Sequence, residues 1–230
     1  MSRFSDRVGL HENLFEPYKV GHLCVEASID DVTRELVERG STFRLPEGRR
    51  LEISLDQLGK SRHSDESPVV TVFQLRDLSW TQVLIDLRRS RTLGLARDLS
   101  SSLRTRGLAI EVTDDAYYTH LVMDRGNVDE LMVSATRIDV KNVLSELGLP
   151  VPEEYATLGN ENPEAFDEAE YAFRRGHDGA ESRDVGVVAR ELGCYLHYPG
   201  FAEEARYSLV DVAPDDVVRL DVISLSRGDD

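Results

Sequence analysis

Within "AYYTHLVMDRGNVDELMV", residues 116 to 133, His120, Asp124, Asp129 and Glu130 fall within 11 residues of one another. An imidazole beside carboxylates is what a general base or a metal site would use. The same residues also spell a β-hairpin. Alternate side chains of a strand share a face, so Tyr118, His120 and Val122 stand together, opposite Tyr117, Thr119, Leu121 and Met123. Beyond the turn, Leu131 and Val133 share one face while Met132 joins Val128 and Glu130. The turn "DRGN" puts Gly126 where a left-handed residue makes a type I turn with a bulge. His120 and Glu130 are expected to pair across the hairpin. A half-buried histidine bonded to a carboxylate explains that pair without chemistry, so the hairpin reads as sheet first and site second.

Other constellations are weaker. His22 and Cys24 share one face of a strand, but no Cys-x-x-Cys or His-x-x-x-His spacing supplies further metal ligands. "GCYLHYPGF", Gly193 to Phe201, is the most aromatic stretch, and Tyr195, His197, Tyr198 and Phe201 are the candidate anchors of an interface. Arg88, Arg89, Arg91, Arg97, Arg104 and Arg106 make a local basic patch that reads as a solvated helix face pairing with the protein's own acids. No nucleophile elbow, dinucleotide fingerprint, P-loop, zinc signature or EF-hand is present. No catalytic residue, metal site or cofactor is assigned.

Charge is the strongest global signal. The chain of 230 residues carries 43 acids against 27 bases, a net charge of −16. Such a field repels nucleic acid and anionic membrane and attracts basic partners. Only Lys19, Lys60 and Lys141 are lysines, a bias that genome composition or salt adaptation would also produce. The N-terminus lacks a signal-like apolar stretch and no window reaches a membrane span, so a cytoplasmic protein is expected, with Cys24 and Cys194 as buried thiols.

The elements that must position these residues follow from pattern. "VGHLCVEASI" is strand-like and "SIDDVTRELVERG" is a helix, with Ser28 or Asp30 at its start and Gly40 at its end. "PVVTVFQL" and "SWTQVLIDL" make an antiparallel pair. "SRTLGLARDLSSSLRTRG" is a helix exiting at Gly107, followed by strand "LAIEVT", the hairpin, and a helix in "RIDVKNVLSELG". A helix is expected from Pro163 to Arg175, then helix and strand in "SRDVGVVARELGCYLHYPGF", the strand broken at Pro199-Gly200, then two strands about "PDD", Pro214 to Asp216. "LARDLSSSLRTRG" and "VARELGCYLHYPG" are a weak echo that would mark two related sub-units.

The expected fold is α+β, a mostly antiparallel sheet with helices packed on one face. It forms one domain: a core over 18–152, an acidic connection over 153–182 and a C-terminal helix-strand unit over 183–226. The leading functional expectation is a non-enzymatic bacterial binding protein, like an immunity protein or inhibitor. It would dock Tyr195, His197, Tyr198 and Phe201, rimmed by Glu161, Glu164, Asp167, Glu168 and Glu170, on a basic partner such as a toxin. The alternatives are a small-molecule-binding or hydrolytic protein built on His22, His120, Arg97 and Glu130, and a homomeric assembly subunit.

Overall fold

The computed structural model describes residues 20–39, 51–52, 69–86, 92–113, 117–177, 179–194, 199–202, 206–209 and 217–224. Strands β1 (Val20–Val25), β2 (Leu51–Glu52), β3 (Val69–Leu75), β4 (Thr81–Asp86), β5 (Arg106–Thr113), β6 (Tyr117–Asp124), β7 (Asn127–Thr136), β8 (Glu168–Arg174) and β11 (Val217–Ser224) form one antiparallel sheet. Its order is β2-β11-β3-β4-β1-β5-β6-β7-β8. Strands β9 (Pro199–Ala202) and β10 (Arg206–Leu209) pair separately. The helices are α1 (Ile29–Arg39), α2 (Thr92–Leu103), α3 (Arg137–Leu147), α4 (Glu153–Ala156) and α5 (Val185–Leu192). The expected α+β class is therefore what the chain adopts.

From β1 to β5 the chain runs strand, helix, two strands, helix, strand, and lies in space as β3-β4-β1-β5. That is the order of the ferredoxin-like split βαβ motif. It encloses β1, whose His22, Leu23, Cys24 and Val25 are all buried. On one face, Leu23 and Val25 join Val72, Val83 and Leu121 under Val32 and Leu36 of α1, Leu99 of α2 and Leu144 of α3. Each such side chain removed from water contributes roughly 1.5–3 kcal/mol. The three long helices thus share one face, while α5 lies on the other, setting Val185, Val188 and Ala189 against Cys24, Leu108, Ile110 and Val122.

Local chemistry sets the helix ends. Ser28 accepts from the Asp31 N–H at 3.2 Å, and Thr136 exchanges bonds with Asp139 at the start of α3. Asp184 accepts from the N–H groups of Gly186 and Val187, and left-handed Gly148 and Gly193 close α3 and α5. Strand β11 is pinned to α1 through buried Asp221, which accepts from Thr33 at 3.2 Å and pairs with Arg219 at 2.9 Å.

Several expectations give way to tertiary context. The segment expected to be helical from Pro163 to Arg175 is a 3-10 turn over Pro163–Phe166 and then edge strand β8, because Ala169, Tyr171 and Phe173 alternate at the strand period and pack on the helical face. Gly107 lies inside β5, and α2 ends instead at Arg104, with φ 51°. Pro199 and Gly200 begin β9, and the strand they are expected to break runs through residues outside the described ones. The two strands expected on either side of "PDD" are present as β10 and β11; among the described residues β10 joins β9 and β11 returns to β3. Gly40 and Pro214 to Asp216 lie outside the described residues, as does 195–198, which carries the second half of the internal echo.

The hairpin turn is also tighter than expected. Arg125 and Gly126 have φ of 52° and 80°, the type I′ pattern, between paired Asp124 and Asn127. A bulge follows, where Val122 pairs Glu130 but Met123 pairs Val128. The extra residue moves Val128 to the face of Leu131 and Val133, away from Met132 and Glu130. The tip docks on α2, with Gly126 N–H donating to Ser100 Oγ at 3.1 Å. A Cβ at Gly126 would stand 2.7 Å from Ser101 Cβ. Gly126→Ala is expected to cost roughly 1–3 kcal/mol through backbone strain plus this clash, measured as a lowered urea midpoint at unchanged m-value.

Candidate functional site

The face of the sheet beneath α5 is polar at its centre. The registers align His22 with Ile110, Ile110 with His120, and His120 with Met132. One residue pair along the strands, Gln82, Cys24, Leu108, Val122 and Glu130 form the neighbouring row. The sheet therefore gathers two histidines, a thiol, an amide and a carboxylate on one face, with apolar Leu108 and Ile110 of β5 dividing them into two groups.

The first group is centred on Gln82. His22 Nε2 lies 2.7 Å from Gln82 Oε1, and the Cys24 thiol donates to the same oxygen at 3.0 Å. Cys24 Sγ is 3.7 Å from His22 Nε2, so two residues whose Cα atoms are a full strand repeat apart still bring their side chains together. Cys194, just past the C-cap of α5, joins Cys24 in one buried cluster. Both sulfurs are unbridged and buried. Burial first, and then the Cys194 hydrogen bond and charge, push the Cys24 thiol well above its ordinary range, against the opposing Gln82 hydrogen bond.

The second group runs along the opening hairpin. The Tyr118 hydroxyl lies 2.8 Å from His120 Nδ1, and His120 Nε2 faces Glu130 Oε1 at 3.6 Å. With the imidazole proton on Nε2, Tyr118 donates to Nδ1, while Nε2 makes no hydrogen bond and only faces the carboxylate. Arg183 donates to Glu130 Oε2 at 2.8 Å and pairs with Glu191 at 2.5 Å, tying the segment before α5 and the helix itself to β7. Burial alone would raise the Glu130 carboxyl, but the facing His120 imidazole and the Arg183 charge outweigh it and hold it below the usual carboxylate range. Burial, with the charges of Asp184 and Glu130, pushes the Tyr118 hydroxyl up.

The residues named for a ligand pocket are thus partly assembled. His120 and Glu130 meet as expected, and His22 shares their face two strands away. Arg97 does not join them; from α2 it donates to the Glu146 carbonyl of α3 at 2.9 Å, in the helical layer. Both histidines are buried, His120 completely. Among the described residues, no three His, Cys, Asp or Glu side chains are grouped to hold a metal ion. Arg183 and Cys194 were beyond sequence reasoning, since neither lies near its partner along the chain.

The second candidate surface is the β8 edge. Of the expected rim, Glu161, Glu164, Asp167, Glu168 and Glu170 are all exposed, on the 3-10 turn, its flanks and β8. Of the expected anchors, Tyr195, His197 and Tyr198 lie outside the described residues, and Phe201 is placed only as part of β9. The structure offers a different one: Phe166, 59% exposed, in the middle of the acidic run. An aromatic inside a block of acids is a signal the sequence already carried.

Glu130→Gln is expected to cost roughly 1–3 kcal/mol near neutral pH by weakening the bond from Arg183 and the contact with His120. Glu130's folded carboxyl sits below its unfolded value of about 4.3, so its contribution is full above that value and is lost as pH falls through the folded one. The gap between the two proteins therefore narrows in acid, which urea titrations at neutral and acidic pH will show. No described helix is long and apolar enough to cross a membrane. No family model matches this chain, and no curated protein or solved structure is detectably similar to it.

Proposed function

We propose that this chain is a binding protein that docks an acidic surface on a basic partner protein, in the manner of an inhibitor or immunity protein. The observation that carries this reading is Phe166, largely exposed and flanked by exposed Glu161, Glu164, Asp167, Glu168 and Glu170. No lysine or arginine occurs between Lys141 and Arg174, a stretch that also holds exposed Glu153 and Glu154. The cations of α3 do not neutralise the surface from below. Lys141 donates to the Leu158 carbonyl, and Arg137 donates to the Glu154 carbonyl at 3.2 Å while stacking 5.6 Å from the Tyr155 ring centroid. They fasten the connection after α3 and leave the carboxylates facing solvent.

Such a surface steers a positively charged partner and accelerates association, while a central aromatic seated in a pocket slows dissociation. The two contributions separate experimentally. The wild-type chain and two variants, Phe166→Ala and the pair Glu164→Lys with Glu168→Lys, are used as parallel baits in lysate of the source organism, eluted with a salt gradient. The expected result is a strongly basic protein retained by wild type, released by salt and lost from the charge-reversed bait. In purified form that protein should bind Phe166→Ala at least about tenfold more weakly, the loss typical of a truncated hot spot. Identical protein sets on all three baits, or affinity for the purified protein that ignores salt, would remove the proposal.

A further inference from the structure

The chain contains only two cysteines, and the fold brings both into one buried cluster. Cys24 lies in central strand β1 and Cys194 follows the last helix, so only the packing of α5 on the sheet brings them together. Both belong to one buried cluster with Trp80, Leu108 and Val188, and neither exposes any surface. Their surroundings are suited to forming a bond between them. The Cys24 thiol points its hydrogen at Gln82 Oε1, 3.0 Å away, which leaves sulfur lone pairs for Cys194. His22, at 2.7 Å from the same oxygen, holds Gln82 in place. On the other side, Arg106 borders this cluster through Trp80. That guanidinium is fixed by two bonds to Glu26, 2.7 and 2.8 Å long, and lies 5.7 Å from the Trp80 ring centroid.

We infer that Cys24 and Cys194 form an oxidation site, a dithiol that a small peroxide converts to a disulfide stapling the C-terminal helix to the central strand. The burial of both sulfurs selects a reagent as small as hydrogen peroxide. Cys194 reacts first and gives up its proton, because Cys24 is the thiol that donates to Gln82. Its sulfur attacks one peroxide oxygen; an S–O bond forms, the O–O bond breaks, and hydroxide leaves and takes up the proton that Cys194 released. The Cys24 sulfur then attacks the Cys194 sulfenic sulfur. The S–S bond forms, the S–O bond breaks, and the departing hydroxide takes the Cys24 proton as water. Two thiols and one hydrogen peroxide become one disulfide and two waters. The sulfurs are oxidised and the peroxide is reduced.

The test uses the full-length protein and hydrogen peroxide. After exposure, the protein is denatured, alkylated, digested and mapped by mass. The expected product is an intramolecular Cys24–Cys194 disulfide, reversed by dithiothreitol. Trp80, the only tryptophan, shares the cluster and reports the reaction by a fall in fluorescence that dithiothreitol restores. In Cys24→Ala, dimedone should trap a sulfenic acid on Cys194, and the disulfide signal should vanish. Because that variant removes a core side chain, the wild-type mass map decides the matter alone if the variant does not fold. Two thiols still alkylatable in folded, peroxide-treated wild type, or only cross-linked dimers and over-oxidised cysteine, would overturn the inference.

Discussion

Everything in this fold hangs on β1 having two antiparallel neighbours and two covered faces. A strand so placed has no solvent in which to leave a polar side chain, yet it carries His22 and Cys24 beside Leu23 and Val25. Alternation separates the two chemistries. The aliphatic pair faces α1, α2 and α3 in an ordinary core, while the polar pair faces α5, where Gln82 supplies hydrogen bonds. Leaving such groups unsatisfied would cost about 1–3 kcal/mol each. The polar face is therefore a requirement of the strand as much as a feature of the site.

The same constraint explains the role of α5. Its apolar side chains cover Cys24, Leu108, Ile110 and Val122, but the segment before it reaches the sheet through charge, with Arg183 bridging Glu130 and Glu191. The first contact is non-directional and the second is geometrically exacting. Together they fix the helix end at which Cys194 meets Cys24. The two polar groups, one on each side of β5, are thus linked mechanically through α5.

The acidic edge has a different origin. Strand β8 ends the sheet, and charge on an edge strand discourages unintended pairing. Glu168 and Glu170 serve that purpose whatever else they do. Phe166 does not fit that explanation, because an exposed aromatic at the same edge invites contact. The combination of a discouraging field and one apolar invitation is the ground for proposing a partner that carries opposite charge and a pocket.

Much of the fold was legible in the chain itself. The existence of α1, α2, α3 and α5, the strands of the central sheet and the His120–Glu130 pair all follow from short-range rules, since caps, turns and alternation act within a few residues. The same rules misread β8. Its acidic residues suit the start of a helix, and only pairing with β7 decides that Ala169, Tyr171 and Phe173 form a strand. The return of β11 to β3, the bulge that turns Val128, and the encounters of Arg183 with Glu130 and Cys194 with Cys24 all join residues remote in sequence. Such contacts depend on which surfaces the whole sheet buries. The sequence alone determined the α+β class, the surplus of acid and the kinds of groups at hand. Tertiary structure decided which of them meet, because burial energy is assigned only when faces close on one another.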